Sequence, residues 1–224
     1  MTIKLQNYNF ERKRRIKSLK TFDNKALLEW KKILKSRNIK KFKSLLEKYF
    51  ILLKNLDYLH HNNQTYFSHP LRIACITFSL TKFSKTTKNL LILSLFHNII
   101  ETSNLKKKEL NKLLGKKITK QIHILTIDRK RQWNIVYKNN YYRKINLSHK
   151  NTRIVKIIDK LDNLFTIGLC NSKLIRNRYI AEIEKYILPM VKRDIPNLSN
   201  YFEGLIRQSY MLGHYNYDEF RYKK

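Results

Sequence analysis

Four polar side chains interrupt an otherwise apolar run. In 90-LLILSLFHNIIET-102 they are Ser94, His97, Asn98 and Glu101, spaced i, i+3, i+4, i+7. On a helix that spacing puts them on one face. Every other side of the segment is Leu, Ile or Phe, so it is expected to be buried, and buried polar groups must find partners. A second segment repeats the arrangement. In 154-IVKIIDKLDNLFTI-167, Asp159, Asp162, Asn163 and Thr166 share the spacing among Ile, Leu and Phe. Two such helices are best satisfied by facing one another across a polar pocket. The imidazole of His97, the amide oxygen of Asn98 and the carboxylate of Asp159 form a donor set for a borderline divalent ion such as Mn, Fe or Zn. The same groups can equally form a metal-free, hydrogen-bonded His–Asp core network.

His69 is a third contributor. It stands in 66-YFSHPLRIA-74, just before Pro70, which suits the first turn of a helix because its missing N–H costs nothing there. His60 and His61 lie in the polar stretch 60-HHNNQ-64 and read as exposed histidines or as further ligands. Cys75 and Cys170 sit in apolar stretches without metal-ligand spacing and read as buried, reduced thiols.

These residues need helices to hold them, and the chain supplies the pattern. Four glycines and three prolines in 224 residues leave little material for tight turns between strands. Apolar residues recur at helical spacing over 25–36 and 40–59, then a loop over 60–68 is expected. Further helices are predicted from Pro70 to Thr81, and from Thr86 or Thr87 as N-cap to Thr102. A short basic helix capped by Ser103 should stop at Gly115. Helices over 116–127, 133–145, 152–167, 172–188 and 197–212 complete the pattern, with Pro189 and Pro196 bracketing a turn. The expectation is an all-α, single-domain helical bundle over 25–212. A basic, loose segment (1–24) precedes it and an aromatic, basic tail (213–224) follows it.

Hydrophobic residues make up 42% of the chain, enough for a globular core. The amino-terminal residues show no signal-peptide apolar region, and the longest apolar run is too short to span a bilayer. A cytoplasmic protein is expected. Lys and Arg number 48 against 16 Asp and Glu, a net charge of +32. That surplus is either spread over a solvated surface or serves an anionic partner: nucleic acid, a membrane surface or a phosphate-rich ligand. No RNA-recognition or zinc-finger pattern points to specific nucleic-acid readout.

The ordered segments resemble the HD-domain hydrolases of the RelA/SpoT type, the (p)ppGpp 3′-pyrophosphohydrolases and their small single-domain relatives. The family pattern is YxxHP, LLHDxxEDT, FGxxV…LT and VKLADRLxNxxT. This chain has YFSHPLRIA at 66–74, SLFHNIIETS at 94–103, LLGKKITKQIHILT at 113–126 and VKIIDKLDNLFT at 155–166, over roughly 57–190. The resemblance implies an all-helical HD-type bundle that holds Mn2+ through His69, His97, Asp159 and the residue at 98, and hydrolyses (p)ppGpp or a related anionic nucleotide. It implies that Glu101 helps activate the attacking water, together with the group at 98. Asn163 and Thr166 match residues that contact the nucleotide. Lys160, Asp162, His60 and His61 are further candidates for substrate contact, and Lys156 for neutralising phosphate. Two acids of the pattern are replaced: Asn98 stands for the aspartate of the HD doublet and Thr102 for the second acid after it. The basic pair upstream of HP is missing. A metal-dependent phosphohydrolase is the expected function. The alternatives are an inactive HD-fold nucleotide-binding module and a basic protein that binds RNA or an anionic surface.

Overall fold

The computed structural model describes residues 25–56, 58, 67–81, 87–167 and 172–213. Among these residues all regular structure is helical, as the periodicity predicts. His60, His61 and Cys170, like the segments 1–24 and 214–224, lie outside the described residues.

The helices are α1 (25–35), α2 (Lys43–Lys54), α3 (Ser68–Thr81), α4 (Thr87–Phe96), the single turn α5 (Ile99–Thr102), α6 (Lys107–Leu114), α7 (Lys116–Leu125), α8 (Ile135–Asn146) and α9 (Lys150–Ile167). They continue with α10 (Lys173–Glu182), α11 (Leu188–Asp194) and α12 (Ser199–Gly213). Two compact units are distinguished, Asp23–Ile158 and a second that takes up the chain from Asp159. The division falls inside α9, a continuous helix.

In the first unit α4 is the core helix. Leu90 to Phe96 are all buried, and α4 packs against α3, α2 and α7. An apolar side chain buried this fully contributes roughly 1.5–3 kcal/mol. α1 adds Ala26, Trp30 and Ile33, and α2 adds Leu46, Tyr49 and Leu53; each set is spaced as one helical stripe and buried. Tyr49 meets the Phe96 ring edge-on at 5.2 Å and donates its hydroxyl proton to the Leu113 carbonyl at 2.9 Å, tying α2 to both α4 and α6. The Thr77 and Ser94 hydroxyls pair at 2.9 Å between α3 and α4. The side chain of Ser94 is therefore used as a helix–helix tie. Gly115 (φ 81°) turns the chain between α6 and α7, a conformation that costs any residue with a Cβ.

The second unit packs α12 against α10 and α11 around Ile180, Ile183, Ile187, Val191, Phe202 and Ile206. Lys192 and Glu203 pair at 2.9 Å between α11 and α12.

Several boundaries differ from the expectation. Pro189 does not end a helix: a π-helical turn over Ile183–Ile187 leads without a break into α11, and this wider turn accommodates Pro189, which has no N–H to donate. Pro196 opens a short 3₁₀ turn, Pro196–Leu198. Lys106, rather than Ser103, stands at the start of α6, where its N–H donates to Glu109 at 2.6 Å. Ser103 instead donates to the Ile99 carbonyl at 2.8 Å. The 40–59 helix begins as 3₁₀ over Arg37–Phe42 and ends at Lys54.

Candidate metal centre

The helix expected to run from residue 87 to 102 breaks at its chemistry. α4 stops at Phe96, His97 and Asn98 form a turn, and α5 follows. Asn98 has φ −118° and ψ 14°, outside the α region. The local reason is a competition for one acceptor. In a continuing helix the Ser94 carbonyl would accept from the Asn98 N–H. Here Nδ1 of His97 approaches that carbonyl at 2.8 Å. A carbonyl only accepts, so Nδ1 carries the proton and Nε2 is the basic nitrogen. This is the tautomer of a histidine that ligates through Nε2. His97 itself is buried.

His69 lies in the first turn of α3, beside Pro70. Its ring meets that of His97 at 5.2 Å between centroids and 65° between planes. Arg72, one turn on, is buried and donates to the Ser68 hydroxyl at 3.0 Å, bracing the helix start. Asp159 is buried on α9, and its Oδ1 accepts from Nδ2 of Asn163 at 2.9 Å, which restrains the carboxylate. His69, His97 and Asp159 each offer a ligand atom, all within 4.8 Å of one another. Donors about 2.1 Å from a shared ion can be up to ~4.2 Å apart, so small side-chain adjustments suffice to close this set on one cation. Two imidazoles and a carboxylate suit a borderline divalent metal. The trio can hold one.

The other candidates are placed as follows. Asn98 lies next to His97 in the turn, half-buried, and its carbonyl accepts from the Thr102 hydroxyl and the Glu101 N–H, both at 3.0 Å. Thr102 is buried and serves the backbone. Glu101 accepts from the Ile127 N–H at 3.0 Å through Oε1 and lies 3.4 Å from Arg129 through Oε2. Neither partner is legible in the local pattern, because they lie 26 and 28 residues further on. Asn163 meets Asp159, so its visible role is to orient a ligand. Asp162 is buried on α9; the Thr166 side chain lies outside the described residues. Lys160 is buried and pairs with Glu182 at 3.1 Å, its ammonium 4.2 Å above the Tyr179 ring. Lys156 is buried with its ammonium 5.5 Å from the Tyr141 ring centre.

Among solved structures similar to this chain is a metazoan ortholog of SpoT, described as hydrolysing ppGpp and as playing a role in starvation responses. The two superpose with a TM-score of 0.59 over 75% of this chain and 95% of that one. This chain has the all-α HD-type fold. Sequence identity is 18%, so the likeness to the SpoT ortholog is one of backbone. No protein-family model and no curated protein sequence matches the chain. On this HD-type backbone, residues from α3, the α4–α5 turn and α9 form the one His/Asp group of metal-binding geometry among the described residues.

Proposed function

We propose that the chain is a metal-dependent phosphohydrolase acting on (p)ppGpp or a related anionic nucleotide, with Mn2+ as its metal. The observation that carries this reading is the convergence of His69, His97 and Asp159 on an HD-type fold. Asn98, adjacent to His97, offers a neutral amide oxygen as a fourth donor. A divalent ion held there acidifies water and draws charge from a phosphoryl oxygen. The chain's own residues do the rest. The Ser94 carbonyl keeps Nε2 of His97 available as a ligand, and Asn163 holds the Asp159 carboxylate in place. Glu101 takes the proton from the attacking water once Arg129, which is exposed, moves away from its Oε2. Water oxygen bonds to phosphorus, the bond from that phosphorus to the ribose 3′ oxygen breaks, and the 3′ oxygen takes a proton as pyrophosphate departs. The surplus of positive charge speeds the approach of a polyanionic substrate.

A second reading, nucleotide binding without turnover, is favoured by the double engagement of the Glu101 carboxylate and by the neutral Asn98. The experiment that separates the two is elemental analysis of Mn2+-loaded protein with a ppGpp turnover assay on the same sample. About one metal per chain with pyrophosphate release supports the hydrolase. Metal and nucleotide binding without release supports the binding module. Absence of both stoichiometric metal and release contradicts the hydrolase.

A further inference from the structure

We infer that α8 and the turn before it form a docking face for an anionic lipid bilayer. Between Asp128 and Asp159 the chain has five lysines and four arginines and no acidic residue. The structure gives that charge a side. Lys138, Tyr141, Tyr142 and Ile145 are buried on one stripe of α8, against α7. The opposite face carries exposed Arg143, flanked by exposed Lys144, together with aliphatic groups that nothing among the described residues covers: Val136 is 64% exposed and Leu147 81%, and at the start of the helix, toward the edge of the buried stripe, Ile135 is 58% exposed. Trp133, just before the helix, is 42% exposed, and Arg129, Lys130 and Arg131 are exposed beside it.

The turn that presents these groups is built. Lys130 N–H donates to the Asp128 carboxylate at 3.0 Å and Arg131 N–H to the Asp128 carbonyl at 3.0 Å. The Asp128 N–H donates to the Tyr137 hydroxyl at 2.7 Å, and Asn134 caps α8 by accepting from the Tyr137 N–H at 2.9 Å. Arg131 lies 4.7 Å over the Tyr137 ring, and Lys138 4.7 Å over the Trp133 ring. The cations and the apolar groups are therefore held in one arrangement.

A bilayer fits this pattern better than RNA. RNA phosphates would match the arginines and lysines but would gain nothing from Ile135, Val136 and Leu147. An anionic membrane interface rewards both classes, apolar groups entering at the acyl boundary and cations meeting headgroups. Val136 and Leu147 share the exposed face near opposite ends of α8, roughly 17 Å apart at about 1.5 Å per residue. Both reach the interface together only if the helix lies flat on it. No described helix is long and apolar enough to cross the membrane, so the contact is peripheral.

The test uses the full chain and sedimentation with vesicles of phosphatidylcholine alone, or of equal parts phosphatidylcholine and phosphatidylserine. Attachment to the phosphatidylserine vesicles only, weakening as salt rises, is expected. Charge alone would give as much, so apolar variants decide. Ile135→Asn with Val136→Asn leaves the charge unchanged and should weaken vesicle binding about tenfold or more. Leu28→Asn with Ile51→Asn, at sites each 57% exposed on α1 and α2, should leave it unchanged. Circular dichroism confirms that both variants fold. Equal effects of the two pairs, or none from either, would overturn the inference. So would a single-stranded RNA whose binding drops with Ile135→Asn/Val136→Asn while vesicle binding does not.

Discussion

The role of Lys160 can be decided by a stability measurement. The sequence pattern makes it a substrate contact; the structure buries it, 8% exposed, against Glu182, 6% exposed, with Nζ and Oε1 at 3.1 Å. Removing one partner of such a pair leaves an uncompensated charge and costs about 3–5 kcal/mol. Glu182→Gln should therefore take away a large share of a net stability of roughly 5–15 kcal/mol. For a chain of this length it should lower the thermal midpoint by roughly 10 °C. The double change Lys160→Met with Glu182→Leu removes both charges and keeps the volume. It should return stability to within about 1.5 kcal/mol of the parent, the lost contact with Tyr179 accounting for part of the remainder. Urea denaturation of the three proteins, followed by circular dichroism, measures this. If Glu182→Gln costs less than ~1 kcal/mol, the pair is not the buried unit described and Lys160 is available for phosphate.

Three further outcomes are expected. Asn98→Asp adds a negative oxygen beside His97 and should raise Mn2+ affinity on the order of tenfold by calorimetry; unchanged affinity would remove residue 98 from the ligand set. Glu101→Ala takes away the acceptor of the Ile127 N–H, so amide exchange at Ile127 should accelerate by roughly tenfold or more, and unchanged exchange would show that this bond does not hold the loop. Burial, with Glu29 adding to it, pushes the Cys75 thiol up to about 12 from its ordinary value of 9.0. The folded state binds this proton more tightly than the unfolded state does. The contribution is therefore complete below pH 9.0 and is lost as pH rises toward 12. Cys75→Ala should flatten the alkaline fall in stability measured by urea denaturation, and an unaltered slope would contradict the assignment.

Much of the site's composition was legible because buried helices with narrow polar stripes are unusual. Periodicity, with Pro70 as a helix start and Thr86 or Thr87 as an N-cap, located α3, α4 and α9 and placed His69, His97 and Asp159 on or beside them. It could not show the break at His97 and Asn98, since the run from Leu90 to Thr102 keeps helical spacing throughout. The break arises from a side chain competing with the backbone for the Ser94 carbonyl. Pro189 misled for a related reason: its helix-stopping effect depends on what precedes it, and a π-helical turn absorbed it. The partners of Glu101 and Lys160 were invisible because they are tertiary, 22 to 28 residues away in the chain. Lys160, expected at the substrate, and Glu101, expected at the attacking water, both have partners within the protein.

The most direct test of the central claim is pyrophosphate release from ppGpp by the Mn2+-loaded chain, run beside His97→Ala and Asp159→Ala. Release by the parent is expected, with loss of both bound metal and release in each variant. No release by a fully loaded parent, or release that survives His97→Ala, would contradict the claim.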